Sequence, residues 1–129
     1  MLVVDASVVA PLVADGGPDG DLCRAAVKGQ VLSAPDLLRV EVLSVIRRHV
    51  ASGQLTVRQA NRAVDDLVAL PIRVYPTAPL LQRCWDLRAN VTSYDACYVA
   101  LAEALGVPLL TCDAKLATAP GTRCTFELI

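Results

Sequence analysis

Val91 to Asp113 reads VTSYDACYVALAEALGVPLLTCD, and the order of elements within it sets the class of fold. Thr92 or Ser93 suits a helix N-cap, and Asp95 falls in the first turn, where a carboxylate favours the helix dipole. From Ala96 to Leu105 nearly every residue is apolar, so the helix is expected to be buried almost all round. Gly106 stands where a helix-ending glycine belongs, and Pro108 prevents resumption. Val107 to Thr111 then forms the short apolar run of a strand covered on both faces. A buried helix leading into a buried strand is the repeating unit of an α/β sheet.

The N-terminus repeats the pattern. Met1 to Asp5, MLVVD, is an apolar run ending in an aspartate, followed by a short apolar helix to about Val13. The run is too short for a membrane span or a signal peptide, and no basic region precedes it. In open α/β sheets, sites form outside the carboxyl ends of strands. Asp5 and Asp113 each close a strand, and Asp95 opens a helix. Singly, Asp95 reads equally well as a dipole partner and Asp113 as a turn or cap residue; together with Asp5 they form a constellation.

Between these ends, Asp15 to Gly20 reads as a loop and Asp21 to Lys28 as a short helix ended by Gly29. Gln30 to Ala34 is a second strand, and Pro35-Asp36 opens a helix to about Ala51. Thr56-x-x-Gln59 is a capping box for a helix to Ala69. Ile72 to Tyr75 is a third strand, and Thr77 to Ala89 a helix with Trp85 as a packing residue. Ala114 to Ala119 makes one or two helical turns, and Arg123 to Leu128 a last edge strand. The expected architecture is one α/β domain over residues 1–129, with a mostly parallel sheet of four to five strands flanked by helices.

Composition narrows the chemistry. The 129 residues are 54% hydrophobic and carry a net charge of −1, so no global basic footprint for nucleic acid exists. Any polyanion must be held locally or through metal ions. Five scattered cysteines without a C-x-x-C pair suggest reduced, buried thiols in a cytoplasm. His49 is the only histidine, which leaves a His/Cys zinc site nearly excluded. It sits among Arg47, Arg48 and Val50 late in a helix, as a solvated or helix-end residue. In the helix from Asp36, Glu41 lies at the edge of the apolar stripe of Leu38, Val42, Val45 and Ile46; it reads either as a boundary residue paired to Arg48 or as a fourth acid leaning toward Asp5 and Asp95. Asp36, Asp65, Asp66, Asp86 and Glu103 look like ordinary solvated helix residues. Four convergent carboxylates would raise one another's pKa, and a hard divalent cation such as Mg²⁺ or Mn²⁺ resolves the repulsion. Such a centre serves phosphodiester hydrolysis.

With these residues in view, the chain resembles PIN-domain ribonucleases, and closely the VapC toxins of bacterial VapBC toxin–antitoxin pairs. The matching segments are VVDASV with Asp5, PDLLRVEVLSVI with Glu41, TSYDACYVALAEALGVPLLT with Asp95, and TCD with Asp113. They run through nearly the whole length, and the third is the most specific. The resemblance implies an acidic pocket for Mg²⁺ or Mn²⁺ and endonucleolytic cleavage of RNA by water. Asp5, Glu41, Asp95 and Asp113 would hold metal and orient that water, with Ser7 and Thr111 as supporting hydroxyls. Arg39, Arg47, Arg48 and Lys115 are the candidates for RNA phosphates. Family members form homodimers and are silenced by a cognate VapB antitoxin, whose C-terminal segment often places a basic residue near the acids. Ala114-Lys115 departs from the two basic residues common after Asp113, and Cys97 and Cys112 replace other small or apolar residues. Two rivals are a receiver-like phosphoacceptor domain and an inert PIN-like binding module acting through its partner. The first lacks paired acids after strand one and a strand-end lysine; the second is disfavoured by four intact acids.

Overall fold

The computed structural model describes residues 1–129. The chain runs β1 (Leu2–Val4), α1 (Ala6–Ala14), α2 (Pro18–Val27), β2 (Leu32–Pro35), α3 (Leu38–Ala51), α4 (Val57–Ala69) and β3 (Ile72–Tyr75). A 3₁₀ turn (Ala78–Leu80) leads into α5 (Leu81–Asp86), then α6 (Ser93–Leu105), β4 (Leu109–Thr111), α7 (Ala114–Ala117) and β5 (Phe126–Leu128). All four strand pairings are parallel, in the order β3-β2-β1-β4-β5.

The topology creates the crevice. From β1 the chain crosses to β2 and then β3 in one direction; from β4 it crosses to β5 in the other. Right-handed crossovers then put α1 to α4 on one face and α5 to α7 on the opposite face. Neighbouring β1 and β4 send their next elements to opposite sides, which leaves a gap beyond their carboxyl ends. Asp5 and Asp113 stand at that gap.

Packing explains why the strands are short and apolar. Val3, Val4, Leu109 and Leu110 are fully buried in the sheet centre, and Leu2 aligns with Leu32 while Val3 aligns with Leu109. On α6, Ala96 through Ala102 are buried without interruption, as an all-round apolar helix requires. Thr92 caps this helix through its hydroxyl, and Gly106 ends it with φ of +66°, a left-handed conformation that favours glycine.

Some boundaries differ from expectation. Pro35 is the last residue of β2 and not the first turn of a helix; the Asp36 amide carries the pairing on to Tyr75 at 2.9 Å, and α3 begins at Leu38. A strand-end proline loses nothing there, since the next residue supplies the missing donor. Helix α2 starts at Pro18 and not Asp21, with proline in its first turn and Asp19 and Asp21 favouring the dipole. Gly20 therefore belongs to a helix, at a place where a methyl group would collide with the Asp15 carbonyl and lie 2.9 Å from that of Pro11. Trp85 is 63% exposed, because the preceding Cys84 takes the inward position of the six-residue α5; Arg88 stacks over its ring at 4.6 Å. Glu103 is not solvated but pairs with Arg83 at 2.7 Å and accepts the Arg123 amide. Of the cysteines only Cys23, Cys84 and Cys97 are buried; Cys112 is exposed and Cys124 half-buried, and all five are free thiols. No helix is long and apolar enough to cross a membrane.

Candidate active site

Asp5 is the deepest of the acids. It caps α1, and one oxygen accepts both the backbone amide and the hydroxyl of Ser7. The other accepts the Thr111 hydroxyl at 2.6 Å. Ser7 Oγ in turn accepts the Cys112 amide at 2.9 Å, and Thr111 Oγ1 accepts the Asp113 amide at 3.1 Å. The ends of β1 and β4 are thus stitched together through two hydroxyls, which fixes where Asp113 emerges. Asp113 then caps α7, accepting the amides of Lys115 and Leu116 on one oxygen and leaving the other uncommitted.

Asp95 stands in the first turn of α6. The Thr92 hydroxyl accepts its amide at 3.2 Å, but the reciprocal bond of a capping box, present in α4, is absent here. The carboxylate is therefore not spent on closing its own helix. Glu41 comes from α3 and accepts the Tyr98 hydroxyl on Oε1 at 2.7 Å. Tyr98 lies one helical turn after Asp95 and is 1% exposed, so a rigid, buried phenol positions the glutamate.

These four acids line one cleft of about 730 Å³. Asp15 and Asp19 line it as well, and no lysine or arginine does. The electrostatics follow. Burial pushes the Asp5 carboxyl up, against the Ser7 and Thr111 hydrogen bonds, and the charge of Asp95 adds to the rise. Burial also raises Glu41, opposed by Tyr98 and reinforced by Asp95 and Asp5. Asp95 is raised by burial and by Asp113, with Thr92 working against both. Asp5, Glu41 and Asp95 each feel another carboxylate, and no cationic side chain lines the cleft to pair with them.

No three His, Cys, Asp or Glu side chains meet closely enough to form a ready-made cage for an ion. The acids line the walls without closing on a point. An all-oxygen donor set of this kind fits Mg²⁺ or Mn²⁺, since Mg²⁺ keeps several waters and takes only one or two carboxylates. It does not fit zinc, for which the cleft offers one histidine and no cysteine.

Of the residues expected at the site, Asp5, Glu41, Asp95, Asp113 and Ser7 line the cleft, and Thr111 supports Asp5 from behind. Arg39, Arg47, Arg48 and Lys115 do not line it. Arg39 is committed elsewhere, donating to the carbonyls of Leu67 and Leu70 at the end of α4. His49 is not merely a solvated helix end: with Glu41 and Val45 it forms one stripe of α3 along the cleft wall. Tyr98, Asp15, Asp19, Gln54 and Gln59 were not legible as site residues. For Tyr98 the available signal was a hydroxyl in an otherwise apolar helix, one turn from an acid.

Comparison with known proteins places this architecture. The PIN domain profile matches residues 2–121. Ribonuclease VapC1 of Mycobacterium tuberculosis is 45% identical over 128 residues, covering 98% of this chain and 96% of that protein. Among solved structures, M. tuberculosis VapC20, a sarcin–ricin loop cleaving toxin, superposes with a TM-score of 0.71 at 19% identity, covering 95% of this chain and 97% of its own. VapBC2 from Rickettsia felis, bound to a DNA fragment from its promoter, gives 0.68 at 11% identity, with 99% and 98% covered.

Proposed function

Because this chain belongs to the PIN-domain family and, within it, to the VapC ribonucleases of toxin–antitoxin pairs, we propose that it cleaves RNA by metal-dependent hydrolysis at the acidic cleft. The observation that carries this reading is four carboxylates from four separate elements in one cleft without a counter-cation. Asp5, Asp95, Asp113 and Glu41 would hold Mg²⁺ or Mn²⁺. A bound ion of this type neutralises phosphate charge and acidifies a coordinated water. Glu41 keeps Oε2 free, the other oxygen being held by Tyr98, and this oxygen is available to orient the attacking water and take its proton. Asp5, locked by three hydrogen bonds, supplies a fixed anchor, and Asp113 offers its uncommitted oxygen. The cleft offers an RNA phosphate no arginine or lysine, so a bound ion would also make up the missing positive charge.

Regulation follows from the same charge. A VapB-type antitoxin is the expected partner, and a basic side chain placed in this cleft would neutralise the acids and exclude the ion. We further read the protein as a cytoplasmic homodimer with reduced thiols, in keeping with its family.

The test is cleavage of a mixed total-RNA pool by the purified chain with Mg²⁺, Mn²⁺ or EDTA, beside Asp95→Asn. Discrete fragments that need metal and vanish in the variant are expected. Equal cleavage by both proteins, or none by a folded protein that binds Mn²⁺, would sink the reading.

A further inference from the structure

The cleft extends well past the acids. Along α3, Glu41, Val45 and His49 recur every four residues and all line it, so His49 stands about 12 Å from Glu41 along the helix axis. Gln54, Leu55 and Gln59 complete that far end. The turn is tied together: the His49 carbonyl accepts the amides of Gln54 at 2.8 Å and Leu55 at 3.1 Å. Gln59 is held too, its Oε1 accepting the Thr56 amide at 2.9 Å in the capping box, which leaves its Nε2 donors uncommitted. The far end presents side-chain amides and an imidazole beside two aliphatic residues, Val45 and Leu55, and no lysine or arginine lines the cleft.

That chemistry suits a nucleobase better than a phosphate. A second phosphate would need a cation, and there is none. A base offers edge donors and acceptors for glutamine and histidine, and a flat apolar face for Val45 and Leu55. The distance from Glu41 seats it on a nucleotide beside the scissile phosphate. We propose that His49, Gln54 and Gln59 form a base-reading subsite that selects the nucleotide flanking the cut. This rests on the ribonuclease reading above, and deepens it by assigning sequence choice to residues outside the acidic set.

The test compares the natural chain with Gln54→Leu/Gln59→Glu. Glu at 59 can still accept the Thr56 amide, so the cap of α4 survives while the Nε2 donors are lost. Fragment ends from a total-RNA pool cut with Mn²⁺ are sequenced for both. The expected result is one preferred base at a fixed position beside the cut, with the preference about tenfold weaker in the variant, which still cuts. No preferred base in the natural chain, or an undiminished preference in the variant, overturns the subsite. Binding of a short oligonucleotide carrying A, U, C or G at one position to Asp95→Asn separates this from the hydrolytic reading. Base-dependent affinity that the glutamine substitutions erase upholds the subsite even if no RNA is cut. Equal affinity for all four overturns it even if RNA is cut, and leaves the far end of the cleft to a polypeptide.

Discussion

Tyr98 shows how much a single buried hydroxyl can govern. Its ring is packed inside α6, and its oxygen reaches across to α3 to hold one oxygen of Glu41. Burial, then the hydrogen bond to Glu41, keep its own pKa far above the ordinary value, so it donates at every working pH. In Tyr98→Phe the fold keeps its aromatic filler, while Glu41 loses its orienting donor. A hydrogen bond to a charged group contributes about 1.5–3 kcal/mol, so the rate of RNA cleavage is expected to fall roughly ten- to a hundredfold. The check is single-turnover kinetics alongside Mn²⁺ affinity; an unchanged rate would show that Glu41 needs no such support. Asp5 and Asp113 stood out in the sequence as acids that close apolar runs and Asp95 as one that opens a helix, whereas Glu41 read equally well as a boundary residue paired to Arg48. Tyr98 was not, since its target lies 57 positions away and only the packing of α6 against the sheet brings the two together.

At the level of elements, periodicity identified the buried helix α6 and the strands, but not which of the remaining residues would be drawn into the cleft. Gly16-Gly17-Pro18-Asp19-Gly20 reads as a loop by composition, yet packing of α2 on α1 makes its latter half helical. Arg24 secures this join, donating to the carbonyls of Leu12 and Asp15 at 2.9 Å each and pairing with Asp21. At Gly20 the two backbones lie too close to admit a methyl group. Gly20→Ala would force α2 off α1, and a loss of about 1–3 kcal/mol in unfolding free energy is expected from overpacking, despite alanine's better helix propensity. Chemical denaturation measures it, and a stabilised variant would contradict the close approach. Asp15 and Asp19 sit at the same join, so the cleft wall they form depends on this contact.

For the whole molecule, the acidic cleft is an opponent of folding. Asp5, Glu41 and Asp95 all have carboxyls raised above their ordinary values, with burial the largest cause. A raised carboxyl costs nothing below its unfolded pKa, and its cost grows as pH climbs through the folded value. Glu103 works in the opposite sense. Burial raises it, but the Arg83 and Arg123 interactions outweigh that and leave it lowered, so its support is present above an unfolded value of 4.5 and fades as pH falls through the folded one. Glu41→Gln is therefore expected to raise the thermal midpoint in EDTA at pH 7 and to lose that advantage near pH 4. Mn²⁺ at a hundred times its Kd should stabilise the natural chain by about 2.7 kcal/mol, and the variant by less. Calorimetry at the two pH values decides it; a variant less stable at pH 7 would contradict the direction. The parallel sheet was legible from alternating strands and helices, whereas its order was not, because short apolar strands carry no label for their neighbours.

That order has a consequence for how the molecule comes into being. Strand β1 is made first and lies at the centre, flanked by β2 and by β4, and its pairing with β4 joins Val3 to Leu109. The hydroxyl of Thr111 must arrive before Asp5 is fully satisfied, 106 positions downstream. A nascent chain still short of β4 holds Asp5, Glu41 and Asp95 on an unfinished sheet, with Asp113 not yet in existence. The four acids therefore share no finished cleft until β4 is in place, a delay written into the order of the strands.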